Sequence, residues 1–193
     1  MHDRAIPNPS HHAESAPELP GCLRDHGRRR RYVAGAYVYR PVDQMTLIYF
    51  ISAGTVKIGS YSPEGREVVY DTAGPGDFFG NLKYLGNRGG FQEFVRALTE
   101  VEVDTLDLVT FKRILATQPS VQEWFSRLMV KRWARAEARL YRISALRPLE
   151  RLRQVLCEVG DDDARAPEVL TQSDLANLTG LTRQTVAKLL REL

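Results

Sequence analysis

LTQSDLANLTGLTRQTVAKLLREL, Leu170 to Leu193, carries two short apolar-periodic runs around a single glycine. Thr171 opens a T-x-x-D pattern with Asp174, in which hydroxyl and carboxylate each satisfy a free backbone N–H at a helix start. Leu175 and Leu178 fall on one side of the first run, and Ala176 leaves room for a second helix to cross. Gly180 supplies the left-handed residue that ends a helix. Leu181 fills the corner, and Thr182 caps the next run, whose Val186, Leu189 and Leu190 turn inward. This spacing describes a helix-turn-helix unit. A polar helical hairpin with a solvated face is the plainer alternative, but several independent steric demands coincide here.

The second run leaves a polar face. Arg183, Gln184 and Lys188 project from its first turns, the part of a recognition helix that enters the major groove. Arginine and lysine bond guanine O6 and N7, and glutamine bonds adenine N6 and N7, so these three are the candidate base readers. Thr171, Thr182 and Thr185 are the candidate phosphate contacts, which position a protein without reading sequence. The partner implied is double-stranded DNA.

Upstream, QPSVQEWFSRLMVKRWARAEARLYRISAL lacks glycine and has its only proline where a helix start tolerates it. It predicts a helix over 118–146, about 28 residues and roughly 40 Å long. Met129, Trp133, Ala136, Leu140 and Ile143 form a heptad-spaced seam of about two repeats. Trp124, Phe125 and Leu128 form a second apolar face. Two faces need two partners, the helix's own domain and a second copy of the chain. Arg127, Arg132, Arg135, Arg139 and Arg142 read most simply as a solvated face. Pro148 then breaks the helix, LERLRQVLCEVG predicts a further amphipathic helix, and DDDARAPE a polar loop.

From Arg31 to Asp107 the texture is β: short runs rich in Val, Ile, Tyr and Phe, separated by glycine-bearing turns at Gly35, Gly54, Gly65 and Gly76. Many short strands with such turns suggest a sandwich or barrel. The first 20 residues are rich in Pro, Ser and His without periodicity and predict no fold; His11 and His12 lack further ligands at metal-site spacing. Cys22 and Cys157 make neither a CxxC motif nor a disulfide framework. No apolar run of about 18 residues predicts a membrane span, and no signal peptide is visible. A cytoplasmic protein of 193 residues with a net charge of +3 is expected, with no cofactor and no membrane partner.

The expected fold class is α+β: a disordered tail (1–25), an antiparallel, jelly-roll-like β-roll (26–117), a dimerisation helix (118–146) and a helix-turn-helix domain (147–193). Together IYFISAGTVKI, SPEGREV, GPGDFFGNL, VRALTEVEVDTL and GLTRQTVAKLL resemble the CRP/FNR family of bacterial transcription regulators. The resemblance implies a cyclic-nucleotide-binding-like roll and a homodimer on a near-palindromic site, working with RNA polymerase. It also implies a winged helix-turn-helix; with Leu193 in or just after the second helix, a truncated chain or a wingless variant is expected. An acidic residue is common in the family where Gln184 stands. The resemblance places the effector pocket at Asn81, Leu82, Phe91 and Gln92. Cyclic-nucleotide binders there carry a Glu after the G-D-F turn and an Arg-Ser pair, and a buried phosphate without its arginine is costly. Cyclic AMP is therefore not the expected effector; another small molecule, or none, is. Iron–sulfur members need a cluster of cysteines that this chain lacks. Two other readings compete: a small-molecule sensor whose helix pair contacts protein, and a cupin-like enzyme, which would need a metal-binding His/Glu set on the strands.

Overall fold

The computed structural model describes residues 18–41, 46–80, 93–159 and 170–193. Among the described residues, eight strands form two four-stranded sheets. The first runs in the order β1 (Arg28–Tyr32), β8 (Val101–Asp107), β3 (Leu47–Ala53), β6 (Phe78–Gly80). The second runs β2 (Tyr37–Tyr39), β7 (Glu93–Ala97), β4 (Val56–Tyr61), β5 (Glu67–Ala73). Every pairing is antiparallel. Strand alternation sends Val56 and Ile58 into the space between the sheets, with Ile51, Phe79, Val95, Val101 and Val103. The rings of Tyr49 and Phe79 stack there with centroids 4.9 Å apart. This is the sandwich that the glycine-punctuated runs predict, in the β-roll form that the family resemblance implies.

Helices cover the outer face of the first sheet. α1 (Gly21–Arg24) precedes the strands. α2 (Leu108–Thr117) follows β8 directly, because Asp107 caps it by accepting a bond from Thr110 N at 3.0 Å. α3 (Pro119–Ala145) is the long helix, started by Pro119 at its first position. Ile48, Phe50, Phe78 and Leu106 of the sheet meet Leu23, Phe111, Ile114, Val121 and Leu128 in one apolar cluster. The tail expected over residues 1–25 thus gives way to structure before its predicted end: Leu23 is buried in this cluster. The arginine run Arg28 to Arg31 forms most of strand β1. Arg29 pairs with Asp104 at 3.1 Å and Arg31 with Glu102 at 2.6 Å across to β8.

The chain ends in α4 (Pro148–Val159), α5 (Gln172–Thr179) and α6 (Arg183–Leu189). These helices do not stand apart. Leu152, Val155, Leu175, Leu178 and Val186 share a cluster with Val69 and Phe94 of the second sheet, flanked by Tyr37 and Tyr61. Both faces of that sheet are therefore covered, and the molecule has four layers: the terminal helices, two sheets, and α2 with α3. Among the described residues, no helix is long and apolar enough to cross a membrane.

The close fit of the second sheet depends on Gly59. A Cβ there would lie 2.4 Å from the Phe94 ring and 2.7 Å from the Val68 carbonyl oxygen. Gly59→Ala should cost about 1–3 kcal/mol by overpacking, seen as a lower urea midpoint at unchanged slope. An unchanged midpoint would contradict the tight packing.

Candidate nucleic-acid interface

The α5–α6 corner is built by local chemistry. Thr171 Oγ1 accepts from Asp174 N at 3.1 Å, and Thr171 N donates to Asp174 Oδ2 at 3.0 Å, completing the capping box. Gly180 ends α5 at φ 67°, ψ 28°, and Leu181 N donates back to Ala176 O at 3.0 Å. Thr182 caps α6 by accepting from Thr185 N at 3.1 Å. Leu175, Ala176, Leu178 and Val186 are buried between the helices. Ile143 of α3 lies against the corner, where a Cβ on Gly180 would come within 3.2 Å of it.

Arg183, Gln184 and Lys188 are all exposed on α6. Arg183 has no ion pair among the described residues, and Lys188 reaches Glu192 only at 3.9 Å. Two cationic donors and one amide thus face outward from adjacent turns, the groups that bond the exposed edges of guanine and adenine. Thr171 and Thr182 are exposed and Thr185 half-buried. The hydroxyls of Thr182 and Thr185 bond each other at 2.8 Å, and that of Thr171 donates to Asp174 Oδ2 at 2.8 Å. The structure brings the three base-reading candidates onto one face and sets the three threonines at the helix starts beside it. Sequence reasoning missed Lys57. From β4 its ammonium donates to both carboxylate oxygens of Asp174, at 2.9 and 3.1 Å, with both side chains almost fully buried. Its signal was faint: a lysine at an outward position of a strand whose other outward residues are Gly59 and Tyr61.

Along α3, Met129, Trp133, Ala136, Leu140 and Ile143 are exposed, Trp133 and Leu140 at 69% and 68%. Val130 and Tyr141 widen this stripe beyond the predicted seam. The opposite face is apolar at first, with Val121, Trp124, Phe125 and Leu128 against the roll. It then turns cationic, which corrects the expectation of a solvated arginine face. Arg132 donates to Phe78 O at 2.7 Å. Arg135 pairs with Asp77 through two bonds of 2.8 and 2.6 Å, which raise its pKa despite burial. Arg139 pairs with Asp71 and donates to Tyr70 O. Arg142 is buried against Glu158 of α4. Arg127 alone fits the expectation, exposed beside Glu123. Helical periodicity finds polar residues but not the aspartates that strands bring to them.

Asn81, Leu82, Phe91 and Gln92, the expected effector-pocket residues, lie outside the described residues, as do His11 and His12. Inside the roll, Glu93 is buried and accepts hydrogen bonds from the hydroxyls of Tyr39 and Tyr70. Burial first, and then the Glu93 charge, push both phenols well above the ordinary tyrosine range. Tyr37, bonded to Glu67 at 2.5 Å, is pushed up to about 12, chiefly by that bond. The inward register of Glu93 with Val95 and Ala97 was the available sequence signal for this cluster.

The folded chain holds these phenolic protons more tightly than the unfolded chain. Their contribution is complete below the free-phenol pKa, about 10, and is lost as pH rises through the folded values. Ultraviolet titration should therefore count fewer ionised phenols than the 8 tyrosines until alkaline unfolding releases the rest together. Eight independent ionisations near pH 10 would refute the buried cluster.

Residues 29–118 match the cyclic nucleotide-binding domain family, and residues 150–193 match the Crp-like helix-turn-helix domain family. The CRP-like cAMP-activated global transcriptional regulator of Mycobacterium tuberculosis is 30% identical over 152 residues, spanning 75% of this chain and 67% of that protein. The chain belongs to the CRP/FNR family of transcription regulators. The cAMP-activated global transcriptional regulator Vfr of Pseudomonas aeruginosa is 25% identical over 177 residues, 87% of this chain and 83% of Vfr. Two solved structures share the fold. The c-di-GMP-responsive global regulator CLP of Xanthomonas campestris has a TM-score of 0.68 at 22% identity, covering 88% of this chain and 87% of that one. FixK2 of Bradyrhizobium japonicum has a TM-score of 0.68 at 19% identity, covering 86% and 84%. This CRP/FNR chain is thus a regulator with a helix-turn-helix DNA-binding domain, in a family of non-enzymatic regulators.

Proposed function

We propose that this regulator binds a near-palindromic DNA site as a homodimer, reads it with Arg183, Gln184 and Lys188, and acts with RNA polymerase in the cytoplasm. The observation that carries the reading is the exposed face of α6, with its guanidinium, amide and ammonium on adjacent turns. Major-groove edges match these donors, and an arginine or lysine bonded to guanine discriminates by about 1–3 kcal/mol per base. Thr171, Thr182 and Thr185 hold the backbone. The exposed stripe Met129, Trp133, Ala136, Leu140 and Ile143 supports the two-fold pairing, because a continuous apolar strip this long is rarely left to water. Gln184 makes the preferred half-site differ from that of relatives with an acidic residue there.

The effector we propose is not cyclic AMP. The relatives' names tie them to cyclic AMP, whereas this chain has Asn81, Phe91 and Gln92 where nucleotide binders of the family have Glu and Arg-Ser. Nothing in that set neutralises a cyclic phosphate.

Three measurements test these points. Arg183→Ala should lose about 1–3 kcal/mol of affinity for a selected duplex while leaving scrambled DNA nearly unchanged; equal losses on both would contradict base reading. Trp133→Glu should convert a sedimenting dimer to monomer, and an unaltered sedimentation profile would refute the seam. Millimolar cyclic AMP should leave the melting temperature unmoved, since only a ligand that binds the folded state raises it; a clear rise would overturn the effector argument.

A further inference from the structure

We infer that Lys57 of the sensor roll is a positioning residue for DNA binding, acting through Asp174 on the phosphate contact at Thr171. The inference rests on the DNA-binding reading above and adds a residue far from the reading helix. Its basis is one chain of contacts. Lys57 Nζ donates to Asp174 Oδ1 at 2.9 Å and Oδ2 at 3.1 Å. Asp174 Oδ2 also accepts the Thr171 hydroxyl at 2.8 Å and the Thr171 N–H at 3.0 Å. Lys57 and Asp174 are 8% and 6% exposed at their side chains, while Thr171 is exposed. Lys57 is therefore enclosed between sheet and helix and cannot touch DNA itself.

The electrostatics give the contact its role. A phosphate at Thr171 must take the hydroxyl proton now given to Asp174 Oδ2, so it sits beside a carboxylate that has lost that donor, and like charges at that range repel. Burial keeps water from screening the repulsion. The Lys57 ammonium cancels the Asp174 charge, so the end of α5 can accept an anion. The roll thus supplies a counter-charge that the DNA-binding unit lacks by itself: docking the unit on the second sheet makes its phosphate contact favourable, and undocking it exposes the acid. Asn177 Nδ2, 3.5 Å from the Glu67 carbonyl oxygen, marks the same seam one turn along.

Two substitutions break the same ion pair with opposite consequences for charge. Lys57→Met leaves the carboxylate uncompensated, while Asp174→Asn removes it and keeps a capping side chain. The assay uses the full chain, at one salt concentration, on a selected duplex and on scrambled DNA. Binding of the selected duplex by the unsubstituted chain is read first; without it the DNA-binding reading fails and this inference falls with it. Given binding, Lys57→Met should weaken affinity about tenfold on both DNAs, since phosphate contacts carry no sequence. Asp174→Asn should bind at least as tightly as the parent. The double substitution should return to within about twofold of it, the residual being set by backbone contacts alone. Equal weakening by both single substitutions would make the pair a mechanical latch and overturn the inference, as would an unaltered Lys57→Met or a loss confined to the selected duplex. If Lys57→Met does not fold, Asp174→Asn decides alone: retained or tighter binding supports the counter-charge, and weaker binding overturns it.

Discussion

The second sheet is apolar on both faces, and neither face can be left to water. Val56, Ile58 and Val95 fill the space against the first sheet, while Val69, Phe94 and Tyr61 on the other side need a cover of their own. An antiparallel sheet ordinarily turns one face to solvent. Here the helix-turn-helix unit is the cover, and its short helices gain a platform they could not build from seven and eight residues. Isolated helices of that length are marginal in water. The reading head is held on the β-roll by the same hydrophobic burial that keeps the roll intact.

That arrangement places ionic contacts where helices meet the roll and each other. Lys57 meets Asp174 between roll and α5. Arg135 and Arg139 meet Asp77 and Asp71 between α3 and the strands. Arg142 meets Glu158 just before and after the Pro148 break. A pair as buried as Lys57 with Asp174 adds little net stability but penalises any arrangement that separates it. α3 touches the roll, carries the outward apolar stripe and abuts Gly180 of the corner, so a change at one site has a physical route to the others.

What the sequence disclosed follows from range. The helix-turn-helix was readable because its demands are local: a hydroxyl three residues before Asp174, a glycine at φ 67°, apolar residues at helical steps. The strands were readable through their turns. The exposed apolar face of α3 was readable because Met129, Trp133, Ala136, Leu140 and Ile143 recur at helical steps. The partners of Arg132, Arg135 and Arg139 were not, since Asp71 of β5 and Asp77 of the turn before β6 come from more than 50 residues earlier. Lys57 and Glu93 hid for the same reason: a charged residue in a strand reads as solvent-facing until the layer that buries it is known. The tail boundary was misjudged because one leucine, Leu23, anchors a turn too short to show periodicity.

The arginine strand at the outer border of the first sheet has a separate consequence. Among the described residues, β1 pairs with β8 on one side only and its other backbone edge has no partner strand. An open edge invites a stray strand from another molecule, the first step toward fibrous clumping. Of the four consecutive arginines on this border, Arg29 and Arg31 pair with Asp104 and Glu102, while the exposed Arg28 and Arg30 set charge against the strand of a second copy. Such a chain can be crowded in solution or carried through refolding without its rolls zipping together.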